Sequence, residues 1–127
     1  MPAAIGVKIA APEKQTIVVC GDGAFQMTNN ELSTMVEQGC DVKIVLLNNR
    51  TLGMVCELQR IAKRHKFAVA LPDTPDFGKL ADAFDVKSRR ISQDADMADA
   101  IAEMLAYDGP YLLECVVSEA ENSKVNM

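Results

Sequence analysis

Two short apolar runs constrain this chain more than any other feature. Thr16 to Cys20 reads Thr-Ile-Val-Val-Cys, and Val42 to Leu47 reads Val-Lys-Ile-Val-Leu-Leu. Neither alternates apolar with polar residues along its length. The first predicts a strand buried on both faces, the second a further buried strand, as in a parallel sheet covered by helices. Both runs end abruptly, one in Gly21-Asp22-Gly23-Ala24 and the other in Asn48-Asn49-Arg50-Thr51.

Helical patterns fill the intervals. Pro2 to Ala11 reads as a short helix, with Pro2 in its first turn and Pro12 ending it. Thr28-Asn29-Asn30-Glu31 matches a capping box, followed by Leu32, Met35 and Val36 on one face and Gly39 as the stop. Leu52 to about His65 carries Leu52, Val55, Leu58 and Ile61 at helical spacing, with Lys63, Arg64 and Lys66 at its C-terminal end. After a loop from Leu71 to Pro75, Asp76 to Phe84 forms a helix with Phe77, Leu80, Ala81 and Phe84 inward. Val86 to Ile91 reads as an edge strand because of Lys87, Arg89 and Arg90. Asp94 to Tyr107 is a helix with the stripe Met97, Ile101, Met104 and Leu105, and Gly109 lies just past its end. Tyr111 to Val117 is the last strand, and Glu119 to Met127 is a polar tail expected to be mobile. Strands alternating with helices predict an α/β fold: three layers, α/β/α, around a mostly parallel, doubly wound sheet. No linker divides residues 1–127, which read as one domain.

Charge and composition narrow the function. Thirteen basic against eighteen acidic residues give a net charge of −5, and aromatics make up only 5% with no Trp. That balance argues against nucleic acid and anionic membranes as partners, and against a base-stacking surface. No apolar run approaches the ~20 residues that span a bilayer, and no basic leader precedes the first apolar stretch. Cys20, Cys40, Cys56 and Cys115 form no Cys-x-x-Cys motif, and three of them sit in apolar or helical runs. Reduced thiols in a cytoplasmic protein are therefore the expectation. The single His65 lies among Lys63, Arg64 and Lys66, a setting for a solvated helix end rather than for a metal ligand.

The chemistry is expected beyond the carboxyl ends of the strands, where open α/β sheets bind ligands. If the first two strands are neighbours, Asp22 and Asn49, 27 positions apart, lie side by side. Asp22 offers an anionic oxygen, Asn49 an amide oxygen, and a loop carbonyl such as that of Thr51 a third. Hard oxygens of this kind suit Mg²⁺ or Ca²⁺, and one carboxylate leaves coordination positions for phosphate oxygens and water. The glycines allow backbone N–H groups to approach an anion closely. Helices starting near Thr28 and Leu52 direct positive ends to the same place. These residues argue for a Mg²⁺-diphosphate site. Met27 and Met35 read as core.

Gly21-Asp22-Gly23 followed at this spacing by Asn48-Asn49 resembles the thiamine diphosphate-binding motif. Pro2-Ala3-Ala4-Ile5-Gly6, Gly21 to Met27, Glu31-Leu32, Val42 to Asn49, Leu52-Gly53-Met54-Val55 and Gly109 to Glu114 resemble the C-terminal domain of acetolactate synthase large subunits. The resemblance implies Mg²⁺ bound by Asp22, the Asn49 side chain and the Thr51 carbonyl. It implies diphosphate contacts from the backbone at Gly21, Gly23, Ala24, Gly53 and Met54, with Met54 near the reacting end of the cofactor. Thiamine diphosphate in such enzymes decarboxylates a 2-keto acid and joins the remainder to a second carbonyl compound. Other decarboxylases and acyltransferases share the Mg²⁺ motif, and a non-catalytic assembly module is a further alternative. Cys56 and Leu58 depart from the Arg and Trp usual in acetolactate synthases, which leaves the second substrate open. The resemblance also implies that the chain is a fragment of a longer enzyme and inactive alone. No catalytic residue falls within it. The catalytic glutamate would come from a pyrimidine-binding domain or subunit, in a homo-oligomer whose sites lie between domains, where Leu52, Met54 and Val55 are candidate contact residues.

Overall fold

The computed structural model describes residues 1–119. Four parallel strands, β1 (Thr16–Gly21), β2 (Val42–Asn48), β3 (Lys87–Ile91) and β4 (Tyr111–Val116), form one sheet in the order β1-β2-β4-β3. Six helices connect or flank them: α1 (Pro2–Ala10), α2 (Asp22–Gln26), α3 (Glu31–Glu37), α4 (Gly53–Ile61), α5 (Phe77–Ala83) and α6 (Met97–Ala106). A short 3-10 turn, Asp94–Asp96, leads into α6.

The strand order explains the layers. The chain steps from β1 to β2 and on past the β4 position to β3, then turns back to insert β4. Right-handed crossovers put helices on opposite faces when the direction of travel reverses. On one face, Ile5, Phe25, Leu32, Met35, Phe77 and Ala81 pack against Val42, Ile44, Leu46 and Leu112. On the other, Ala100 and Met104 pack on Ile91, Tyr111, Leu113 and Cys115. The three-layer α/β/α architecture and the edge position of β3 follow the sequence reading.

Several local expectations are corrected. β1 is buried on one face only, with Ile17 47% and Val19 65% exposed. Their register partners are Lys43 and Val45 on β2, on the face where α6 covers β3 and β4. Thr28 forms no capping box. Its N–H bonds Phe25 O and its Oγ1 lies 3.4 Å from Ala24 O, so it closes α2, and α3 starts after Asn30 without a side-chain cap. Val36 is exposed, whereas Leu32 and Met35 are core. Gly39 ends α3 at φ +58°, and the Cys40 N–H reaches back to Met35 O. α6 buries Ala100 and Met104 while Ile101 and Leu105 stand partly open, a stripe rotated from the expected one. α4 ends at Ile61, short of His65.

The sheet also buries a cation. Lys43, fully buried in β2, donates to Tyr107 O at 2.6 Å and Gly109 O at 2.7 Å and pairs with Asp41. It also lies 5.7 Å from the Tyr107 ring centroid. A buried ammonium with partners on several sides is tolerated, and here it ties the end of α6 to the amino end of β2. The tail from residue 120 onward, expected to be mobile, lies outside the described residues.

Candidate functional site

The site grows from one register. β1 and β2 pair in parallel from Thr16↔Val42 to Gly21↔Leu47, so both strands end at the same level. The chain then turns at Gly21 into α2, whose first residue is Asp22. After β2 it enters the loop Asn49 to Leu52 and then α4. Neighbouring strand ends thus bring the two polar motifs together, as their order requires.

Asp22 is 1% exposed. Its Oδ1 accepts the Gly23 N–H at 2.8 Å, but its buried Oδ2 has no hydrogen-bond partner. Burial raises the Asp22 carboxyl above the ordinary carboxylate range, and the N–H groups of Gly23, Arg50 and Thr51 pull the other way. A buried oxygen of this kind is costly unless something positive or hydrogen-donating meets it.

The second loop is shaped by its own asparagines. Asn48 Oδ1 accepts the Arg50 N–H at 3.2 Å, and Asn49 Oδ1 accepts the Thr51 N–H at 3.0 Å. Such short-range side-chain bonds are why Asn favours turns. Arg50 takes the left-handed φ of +54°. An antiparallel bridge pairs Thr51 with Ala70. It is closed by Leu52 N–H to Val69 O and Leu71 N–H to Arg50 O, both at 2.8 Å. These bonds flank Thr51 and leave its carbonyl outside the bridge. Thr51 Oγ1 is likewise buried without a partner.

A cleft of about 610 Å³ opens over these groups. All eight residues expected at the site line it: Gly21, Asp22, Gly23, Ala24, Asn49, Thr51, Gly53 and Met54. Two of its glycines are closely approached. A Cβ on Gly23 would lie 2.5 Å from Leu52 Cδ2, and one on Gly53 would lie 3.3 Å from Asn49 Nδ2. α4 begins at Gly53 with no side-chain cap, so its first N–H groups keep their donors for a ligand. Among the described residues no three His, Cys, Asp or Glu side chains gather as a metal cluster, and Asp22 is the carboxylate among the residues lining the cleft.

Sequence reasoning missed part of the wall. Met27, expected in the core, is 76% exposed and lines the cleft with Leu47, Val117 and Ser118. Val117 and Ser118 follow β4, whose central place beside β2 is not written in a local pattern. Its Val117 N–H bonds Asn48 O at 3.0 Å. The apolar stripe of α4 is not core either. Met54, Val55, Leu58 and Ile61 face outward, and the buried side chain of the helix is Glu57, paired with Arg60. Cys56 is half-buried and His65 exposed.

Residues 1–115 match the family described as "Thiamine pyrophosphate enzyme, C-terminal TPP binding domain". The chain belongs to this family. The TPP-binding domain is 40% identical over 124 residues to the acetolactate synthase large subunit of Pyropia yezoensis, covering 96% of this chain and 21% of that one. It is 38% identical over 123 residues to the isozyme 2 large subunit of Escherichia coli (strain K12), covering 96% and 22%. The fold is similar to a thiamine diphosphate-dependent 4-hydroxybenzoylformate decarboxylase of Rhodococcus jostii RHA1, with TM-score 0.85 and 28% identity over 93% of this chain and 22% of that one. The TPP-binding domain therefore spans about a fifth of the length of these proteins. Among the described residues no helix is long and apolar enough to cross a membrane.

Proposed function

We propose that the cleft holds the diphosphate of thiamine diphosphate through a Mg²⁺ ion. Asp22 Oδ2, Asn49 Oδ1 and the Thr51 carbonyl would hold the ion. The observation that carries this reading is the buried, partnerless Asp22 oxygen at the floor of a glycine-walled cleft. The donor set fits: one carboxylate, one amide oxygen and one carbonyl suit a hard cation that takes its remaining oxygens from phosphate and water. Asn49 Oδ1 has a second lone pair beyond the one given to Thr51. Backbone N–H groups at Gly21, Ala24, Gly53 and Met54 would reach the diphosphate; Gly23 lines the same cleft with its N–H given to Asp22 Oδ1.

When bound, thiamine diphosphate supplies the decarboxylation of a 2-keto acid and the joining of its remainder to a second carbonyl compound. This domain binds and orients. The glutamate that activates the cofactor would come from a pyrimidine-binding domain or subunit, as the resemblance implies. The outward apolar side of α4 supports a covered interface beside the site, in a homo-oligomer, because large apolar patches mark such contacts. The second substrate stays open, since Leu58 stands where acetolactate synthases usually have Trp. The four free cysteines fit a reducing cytoplasm.

Calorimetric titration of thiamine diphosphate with and without Mg²⁺ tests the reading. Binding that requires Mg²⁺ and is lost in Asp22→Ala is the expected result. Binding that ignores Mg²⁺, or survives Asp22→Ala, overturns it.

A further inference from the structure

Glu114 is a buried carboxylate that the cofactor site does not use directly. It sits on β4 opposite Leu46 of β2, 4% exposed. Its Oε1 accepts the Asn48 Nδ2–H at 2.7 Å, in a bond buried on both sides. Arg90 of β3, its register partner on the other flank, lies 3.7 Å from the same oxygen. Arg90 is half exposed and solvated, so the Asn48 bond is the better-sheltered interaction.

Asn48 is held at three points. Its carbonyl accepts from Val117, its amide donates to Glu114, and its Oδ1 accepts the Arg50 N–H. The amide can present Oδ1 to Arg50 only while Nδ2 points the opposite way, and Glu114 is the acceptor that fixes that orientation. An Asn with its amide turned over would aim donor at donor and leave the Arg50 N–H facing the Asp22 carboxylate alone. Arg50, at its left-handed φ of +54°, would then lose its side-chain acceptor within the loop. The residues on either side of Arg50 are Asn49 and Thr51.

We propose that Glu114 is a positioning residue: through Asn48 it fixes the loop that presents Asn49 and Thr51 to the cation. The part of this concerning the cation rests on the proposed function. The part concerning the loop does not. Two readouts separate them: backbone amide hydrogen exchange at Arg50 and Thr51 in the ligand-free chain, and Mg²⁺-dependent thiamine diphosphate affinity.

Glu114→Leu is expected to speed exchange at Arg50 by about tenfold or more relative to Ile44 and Leu112 in the same sheet. Glu114→Gln keeps an acceptor for Asn48 and should exchange as the native chain does. In a double-mutant cycle, Asn48→Ala combined with Glu114→Leu should be no looser at Arg50 than Asn48→Ala alone, because one acts through the other. Should Glu114→Leu fail to fold, Glu114→Ala carries the same expectation. Unchanged Arg50 exchange in the Leu or Ala variant overturns the proposal, as does a Gln variant as loose as these. Native protein that shows no Mg²⁺-dependent binding sinks the proposed function instead, and the exchange data still decide the role of Glu114.

Discussion

Gly21 on β1 and Leu47 on β2 are register partners, the last pair of a parallel ladder. That pairing places Asp22 and Asn49, each a step or two beyond it, in one cleft. The site is a consequence of where two strands stop together, and the side chains that follow are held by their own local bonds.

Asp22→Asn should remove Mg²⁺-dependent binding while leaving the ligand-free fold at least as stable as before. The native carboxylate is buried with one oxygen unmet, so its charge is a burden on the empty domain. Calorimetry and thermal melts of the same two samples check both halves.

The raised pKa of Asp22 also sets a pH dependence. Because the folded value lies above the unfolded one, the native chain binds the extra proton in the window between them. Stability from this group is therefore greatest below the unfolded value and falls as pH rises through the folded one. Cation affinity runs the opposite way, since a proton competes for the same oxygen. Mg²⁺ affinity should fall as pH is lowered toward the Asp22 pKa, and the Asp22→Asn chain should show neither trend. Parallel titrations across the acidic range measure it.

Gly53→Ala should separate stability from binding. Its methyl would stand 3.3 Å from Asn49 Nδ2, so the amide must shift by a few tenths of an ångström. The backbone there is ordinary, and Ala at a helix start costs nothing in propensity. The melting temperature should hold while thiamine diphosphate affinity drops several-fold.

How much of this was legible in the sequence depends on what each residue reports. The apolar runs around Val18 and Ile44 announced strands, and their order announced the sheet. The glycine and asparagine motifs were found because each follows directly on a strand. Periodicity in α4 showed an apolar stripe through Val55 and Leu58 but could not show that nothing in the described residues covers it. Ile17 and Val19 misled for the same reason, since residue type reports preference for burial and not the presence of a cover. Lys43 and Glu114 stayed silent because a lone polar residue in a strand looks like an interruption until its partners, Tyr107, Gly109 and Asn48, are brought across from distant parts of the chain.

Leu58→Glu follows from the exposed stripe. At 53% exposure the change should leave the melting temperature within about 2 °C, as surface substitutions do. It should weaken self-association measured by sedimentation, because a charge is placed on the apolar face proposed to be covered.

Lys43→Met is the converse case. It removes the donor from the part-buried carbonyls of Tyr107 and Gly109 and the ion-pair partner from Asp41, and should cost about 1–3 kcal/mol in denaturant unfolding. Lys43 sits near the amino end of β2, at the far end from the cleft, so cofactor affinity in the folded fraction should not change.

The two borders of the sheet are unequal. β3 presents Lys87, Arg89 and Arg90, charges that discourage another strand from docking. β1 carries only Thr, Ile, Val, Cys and Gly along its length, and no strand among the described residues pairs with its outer backbone edge. The ladder is thus closed to growth on one side and receptive on the other, and the receptive side adjoins Asp22. Strand-by-strand growth of this domain at high concentration is expected at the border that carries its cleft, separately from association through the α4 face.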